Sequence, residues 1–445
     1  MTLAEPATTR LDLEATQVGS VFVSNYPPYS FWTQDAVAVA NEVLRRPPAS
    51  DATLGLYLHI PFCRQRCKFC YFRVVTDKNS GEVRSYLDTL AHEVERYAEL
   101  PAVAGRPLRF VYFGGGTPSY ISAEELRKLA ARVRAVLPWD GAEEIAFECE
   151  PGTLTRSKLE AIRDIGVTRL SLGVESFDDG ILRDNGRAHE SAEIYRVQPW
   201  IRELDFPQLN IDLIAGMAGE TWDTWRATVE RAIAYEPSSV TIYQMELPFN
   251  TVYSKGVLRG EGGVEFASWS QKREWHAWAI EQFEAAGYET WSAYTLLKPD
   301  RKPRPRFVYA DAVWHGSDMI GAGVSAFSHV GGVHFQNVDR WEEYLEKAGG
   351  AELPIGRAFV TTPDERLTRE TILQMKTGRV DRGYFRDKFG VDVVERFAEP
   401  LERLRAQELL TIGPDAVLLT RGGLLRVDQL LPELYEPHYR HSRYT

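Results

Sequence analysis

Six short runs rich in apolar, β-forming residues, at 55–60, 108–113, 144–149, 168–174, 210–215 and 240–245, alternate with stretches of helical period. The runs are almost continuously apolar, as strands buried on both faces are. Between the first two, Val83, Tyr86, Leu87, Leu90, Val94 and Tyr97 trace one helical face. Ser122 with Glu125 opens the next helix as a capping pair and Pro138 follows its end. A third helix starts near residue 158 and closes on Gly166, and further helical patterns cover 191–203, 222–235 and 269–286. Strands separated by helices pair in parallel through right-handed crossovers. The alternation therefore predicts an α/β core, either an open doubly wound sheet or a partial (β/α)6 barrel. In both, chemistry gathers at the C-terminal ends of the strands.

The repeat occupies residues 54–300 and leaves three other segments. Residues 1–53 read as an N-terminal arm whose aromatic-proline patch, from Asn25 to Trp32, needs burial and is expected to strap the core rather than act as a lid. Residues 301–362 are a connector with late core elements, entered through a basic, Pro-rich stretch at 298–306 that reads as a solvated loop. Residues 363–445 form a small, mainly helical unit: a helix at 363–376, a helix–turn–helix-like stretch at 381–407, and short strands near 410–412 and 417–420. That order resembles a winged helix, but the segment is acid-rich and shows no basic recognition helix, so it reads as a docking or lid module. With 52 Lys and Arg against 63 Asp and Glu, the chain has no global cationic surface for nucleic acid. No apolar run nears the roughly 20 residues of a membrane span, and the first fifteen residues lack an apolar signal core. These features predict a cytoplasmic protein with neither membrane nor nucleic-acid partner, expected to act as a monomer.

Four cysteines cannot staple a chain of 445 residues, and three of them, Cys63, Cys67 and Cys70, crowd into the loop after the first strand. Thiolates so spaced can wrap one [4Fe–4S] cube, which usually takes four. One iron is then left without a protein ligand, open to bind and reduce a small molecule. Arg64, Arg66 and Lys68 lie among the cysteines and would offset the cluster's negative charge. A closed zinc site needs a fourth ligand, for which only His59 is near, and Cys149 reads as a small core residue. Gly114, Gly115 and Gly116 end the second strand and would let backbone N–H groups approach a ligand, without the G-x-G-x-x-G of a dinucleotide fold. Glu148 and Glu150 bracket the end of the third strand, while Glu175, Arg187 and Asp212 lie at or beyond later strand ends. A cation flanked by acids suits a zwitterionic amino acid, with a purely structural ion pair as the competing reading.

The cysteine loop, together with the stretches 56–63, 112–118, 171–177 and 210–216 in that order, resembles the radical S-adenosylmethionine (SAM) superfamily and, within it, the oxygen-independent coproporphyrinogen III oxidase-like branch. The likeness covers about 57–247 and weakens towards 383. It implies that Cys63, Cys67 and Cys70 hold a [4Fe–4S] cluster, and that Tyr57, Gly115, Gly116, Thr117, Glu148, Glu175, Arg187 and Asp212 line the SAM region. It also implies two SAM molecules per site, a small-molecule substrate and an electron donor such as flavodoxin or ferredoxin. Two positions depart from the oxidases, which carry a glutamine where Glu175 stands and a further cysteine where Phe72 stands. The departures rank methyl or methylene transfer to an sp² carbon first, as in the class C methylases and cyclopropanases of this group. Decarboxylation of coproporphyrinogen ranks second, favoured by chain length and the stretch 323–326. Haem handling ranks third, with His315, His329 and His334 as available ligands but without the His-Asn-x-x-Tyr-Trp stretch of the haem chaperones.

Overall fold

The computed structural model describes residues 15–19, 22–48, 52–260, 263–440 and 442, so the segment read for a signal core lies almost wholly outside it. The six predicted runs form β1 (Leu54–Ile60), β2 (Leu108–Gly115), β3 (Glu144–Cys149), β4 (Arg169–Glu175), β5 (Gln208–Ala215) and β6 (Ser239–Gln244). They pair in parallel and in chain order, the partial (β/α)6 barrel of the sequence reading. The helices between them begin at polar caps, the expected one at Ser122 among them. Asn79 accepts from Gly81 N and Glu82 N at the start of Ser80–Ala98, and Ser122 accepts from Glu125 N ahead of Ala123–Val136. Gly166, at φ 88°, supplies the left-handed turn after Arg156–Asp164.

The sheet does not end at β6. Beyond it come β7 (Glu289–Thr290), β8 (Thr295–Leu297), β9 (Asp318–Ala322), β10 (Phe327–Val330), β11 (Val333–Asn337) and β12 (Ile355–Val360). Strands β8 and β7 extend the β6 edge antiparallel, whereas β9 lies parallel beside β1 and continues through antiparallel β10, β11 and β12, giving twelve strands. Antiparallel strands need only short turns, which is why helical alternation vanishes from the sequence after about residue 294. Glu93 ties this extension to the first half. It is buried, accepts from Tyr344 Oη (2.7 Å), Asn337 Nδ2 (2.7 Å) and Gly323 N (2.9 Å), and is pushed up to about 7 by burial.

The C-terminal region is mainly helical, with a three-stranded antiparallel sheet of β13 (Arg379–Asp381), β14 (Leu410–Ile412) and β15 (Ala416–Leu419). Its own core, built from residues such as Leu373, Phe385, Phe397 and Leu401, also takes in Val23 and Tyr26 of the N-terminal arm. The Tyr26 ring packs against Tyr435 and Tyr439, while Thr33 bridges to Ala358 of β12. The arm is thus a strap across two packing units, as its aromatic content predicts. No helix among the described residues is long and apolar enough to cross a membrane.

Candidate active site

The loop after β1 folds back on itself before it reaches the helix Ser80–Ala98. Cys63 N donates to Val75 O (3.0 Å), Cys70 N to Cys67 O (3.2 Å), and Lys68 N to Asn185 O (3.0 Å). The three thiols then face one cavity of about 620 Å³. Thr117 Oγ1 donates to Cys63 Sγ and Arg187 Nη1 to Cys67 Sγ, each at 3.3 Å. Burial pushes the Cys63 thiol up to about 11 and Cys70 up to about 12, so thiolates there need a positively charged group bound between them. Among the described residues no trio of His, Cys, Asp or Glu side chains converges for a single ion. A group large enough to bridge the three thiols fits this donor set.

Of the eight residues expected to line the SAM region, seven (Gly115, Gly116, Thr117, Glu148, Glu175, Arg187 and Asp212) line this cavity with the cysteines. Tyr57 does not. It stacks on Tyr112 at 5.8 Å, shares a hydrogen bond with His59 Nδ1 (3.2 Å), and faces a second cavity. Glu148 accepts from Tyr112 Oη (2.7 Å) and Gly115 N (3.2 Å), and burial raises it above the usual carboxylate range. Glu175, in left-handed backbone at φ 63°, lies 3.6 Å from Arg187, which also donates to Gly173 O at 2.7 Å. Asp212 accepts from Asn210 Nδ2 (2.9 Å), and burial followed by the charges of Glu175 and Glu148 pushes it up to about 8. Three carboxylates facing one space resist ionising together until a cation arrives. The cavity is built to receive positive charge.

Two expectations change in detail. The glycine amides are not free for a ligand: Gly116 N donates to Ile60 O (2.8 Å) and Gly115 N to Glu148. A Cβ at Gly116 would lie 2.7 Å from the Pro61 carbonyl, so the close approach that Gly116 permits is to the backbone leading into the cysteine loop. The basic residues of that loop also do other work. Arg64 reaches Glu150 (3.1 Å) and Arg66 the carbonyls of Cys70 and Asn250 (3.2 Å each), which leaves Arg187 as the cation on a thiol. Although burial raises Glu150, its hydrogen bond to His189 and the charges of His189, Arg187 and Arg64 pull it down to about 2. Glu150 therefore acts as a fixed counter-ion of the loop. His59 hydrogen-bonds to Tyr57 and approaches the Arg73 carbonyl, pushed down to about 4 by burial.

Residues 57–232 match the family model of the Radical SAM superfamily, and residues 361–426 match that of the HemN C-terminal domain. The chain carries a radical SAM domain followed by a HemN C-terminal domain. A radical SAM domain implies a [4Fe–4S] cluster and SAM, which the three thiols and the acid-lined cavity fit. Over 423 residues the chain is 28% identical to the oxygen-independent coproporphyrinogen III oxidase of Pseudomonas aeruginosa, covering 90% of each. It is also 28% identical over 372 residues to the heme chaperone HemW of Bacillus subtilis, covering 83% of this chain and 96% of that one. The solved coproporphyrinogen III oxidase (HemN) of Escherichia coli superposes with a TM-score of 0.78 at 23% identity, covering 93% of this chain and 96% of that one, which gives the radical SAM fold a direct counterpart.

The second cavity adjoins the first and measures about 1060 Å³. Phe22, Arg66, Tyr71, Phe72, Tyr309 and Val313 line both. Its aromatic walls include Tyr29 and Trp32 from the arm, so the strap also shapes a binding space. Sequence reasoning missed its charge. Arg357 donates to Gln336 Oε1 (2.7 Å) and Tyr29 O (2.9 Å), and Arg369 to Asn25 Oδ1 (2.7 Å) and Val313 O (3.1 Å). Every one of those acceptors is neutral. Burial holds both guanidiniums below their usual range, so each favours an anion in the space it faces.

Proposed function

We propose that this chain is a radical SAM enzyme that oxidatively decarboxylates a tetrapyrrole-class polycarboxylic acid of the coproporphyrinogen kind. The observation that carries this reading is the larger cavity beside the cysteine loop. At about 1060 Å³ it exceeds the roughly 300–1,000 Å³ of ordinary small-molecule pockets, and it combines aromatic walls with arginines whose hydrogen bonds go to neutral acceptors. A large, flat ligand bearing several carboxylates matches that wall chemistry. The relatives named coproporphyrinogen III oxidase support it, and together with the cavity they outweigh the two sequence departures at Phe72 and Glu175.

In this reading Cys63, Cys67 and Cys70 hold the cluster, and the smaller cavity holds SAM. Bound together, the two would supply one-electron radical chemistry, the difficult step that the cofactors carry. Arg187 would clamp the amino-acid carboxylate of SAM, with Glu175 and Asp212 answering its positive charge. Tyr71, Phe72 and Tyr309, on the shared wall, orient the substrate edge towards the cofactor side and exclude water. An electron donor such as flavodoxin or ferredoxin would serve the cluster.

Methyl or methylene transfer from a second SAM is the competing reading. The half-exposed Phe72 favours it, because a bulky ring stands where the oxidases carry a cysteine. Anaerobic turnover of coproporphyrinogen III with reductant and methyl-deuterated SAM separates the two. Decarboxylation yields carbon dioxide, methionine and unlabelled 5′-deoxyadenosine. Deuterium in both 5′-deoxyadenosine and product, alongside S-adenosylhomocysteine, would replace this proposal with methyl transfer.

A further inference from the structure

At the end of the larger cavity formed by the β10–β11 hairpin, His329 and His334 face each other across the two strands. Their rings lie 4.5 Å apart, and the side of His334 is stacked on Trp32 at 5.3 Å. The residues are only 8% and 1% exposed, yet the Nε2 of each is buried without a hydrogen-bond partner. Buried polar atoms nearly always have one. Arg369, 4% exposed, lines the same cavity with neutral acceptors for its hydrogen bonds. Two orphaned ring nitrogens and a guanidinium whose hydrogen bonds go to neutral acceptors, in one wall, describe a ligand of definite chemistry.

We propose that His329, His334 and Arg369 form a carboxyl-binding subsite, which seats one acid group of the substrate away from the cysteine loop. The inference rests on the reading of this cavity as a polycarboxylate site and assigns one of its anchors. A carboxyl group has two oxygens in one plane and can meet a guanidinium and an imidazole at once. Burial, with Arg369 adding to it, holds His329 down to about 3, so the rings are neutral at physiological pH. His334 Nδ1 lies 3.5 Å from the Asn25 side-chain amide, and its Nε2 is the ring nitrogen left for the ligand. His329 Nδ1 faces the Ser317 carbonyl at 3.5 Å and donates there, so its Nε2 is left to accept from a carboxyl O–H. A metal ion is disfavoured at the same place. Arg369, Arg366 and Lys388 all act on His329 with positive charge, and among the described residues no third ligand joins the pair.

The test uses the full-length protein and two fluorescent probes, coproporphyrin III and its tetramethyl ester, read by quenching. Wild type should bind the free acid at least about tenfold more tightly than the ester, and His329→Phe and His334→Phe should each erase most of that preference. Phenylalanine keeps the ring and its stacking but removes the nitrogens. Variants that keep the wild-type preference would overturn the subsite while leaving the cavity reading intact. Should wild type bind neither porphyrin, the cavity reading falls, and the subsite is judged by propionate titrated into wild-type protein carrying ¹⁵N-labelled histidine. Propionate should move the Nε2 resonances of both rings, and unmoved resonances would overturn the subsite. Haem bound with an imidazole-ligated spectrum, lost in the same Phe variants, would assign the pair to iron and overturn it equally.

Discussion

The two cavities share a wall but handle charge in opposite ways. In the smaller one, acids and bases interleave: Glu148, Glu175 and Asp212 face the same space as Arg187, and Arg187 in turn meets a thiol and Glu175. In the larger one, half-buried Arg357 and buried Arg369 direct their hydrogen bonds to neutral acceptors. The first arrangement suits a zwitterionic cofactor that presents both signs, the second a polyanion. Each should therefore fail separately when altered.

The largest effect is expected in the cysteine loop. Changing Cys63, Cys67 or Cys70 to Ala should abolish the broad visible absorption of the anaerobically reconstituted protein together with SAM cleavage. Cys149→Ala should keep both, since that thiol is buried in β3, outside the cysteine loop, and reaches the Phe147 carbonyl only distantly, at 4.0 Å. Porphyrin binding in the larger cavity should survive all four changes. Loss of porphyrin binding in the cysteine variants would show that the cavities are one site.

Next comes Arg187→Ala. Losing a charge-assisted contact costs about 1.5–3 kcal/mol, so SAM affinity should fall roughly ten- to hundredfold, with iron content retained. Iron lost in parallel would instead make the Nη1 contact to Cys67 the residue's main role.

Legibility in the sequence follows the same division. β3 matches its expected bounds to the residue, and the other five strands of the repeat differ from theirs by no more than two residues. Buried parallel strands joined by amphipathic helices write a strong period into the chain. The residues expected around SAM in the smaller cavity sit at or beyond the ends of those strands, so motif and topology led to them together, whereas its lining from the arm and from Leu424 to Gln429 carried no such signal. The larger cavity is assembled from the arm, the antiparallel extension and the helix Pro363–Met375. Strands such as β7, two residues long, carry no period to read. Arg369 is legible as a helix residue, but the neutral acceptors of its hydrogen bonds are a tertiary property. The same holds for Gly116, whose motif is visible while the surface it approaches, Pro61, is not.

A smaller effect is expected from pH. Asp212 in the protein without SAM is pushed up to about 8, against an ordinary value of 3.8. Between those values the folded state keeps a proton that the unfolded chain has released, so stability falls as pH rises through the window and levels off above about 8. Asp212→Asn should flatten that decline in the thermal midpoint. SAM brings positive charge and favours the ionised form, so wild-type affinity should tighten towards pH 8, and the variant should lose this dependence. An unchanged pH profile in Asp212→Asn would mean that another carboxylate carries the proton.

The smallest change is expected from Glu175→Gln, which installs the residue carried by the oxidases. Two effects oppose each other. The variant loses the 3.6 Å contact to Arg187 and one negative charge towards the cofactor. It also removes the charge that, after burial, does most to raise Asp212, so Asp212 ionises more readily and supplies part of what was lost. Arg187 keeps its bond to the Gly173 carbonyl and its contact with Cys67, so the clamp stays in place. Glutamine meets the left-handed backbone at φ 63° with the same Cβ and adds no new clash. SAM affinity at pH 7 should change only a few-fold, and the gain between pH 7 and 8 should shrink because Asp212 is already partly ionised. A loss beyond about tenfold would make Glu175 a direct partner of SAM rather than one member of a shared acidic field.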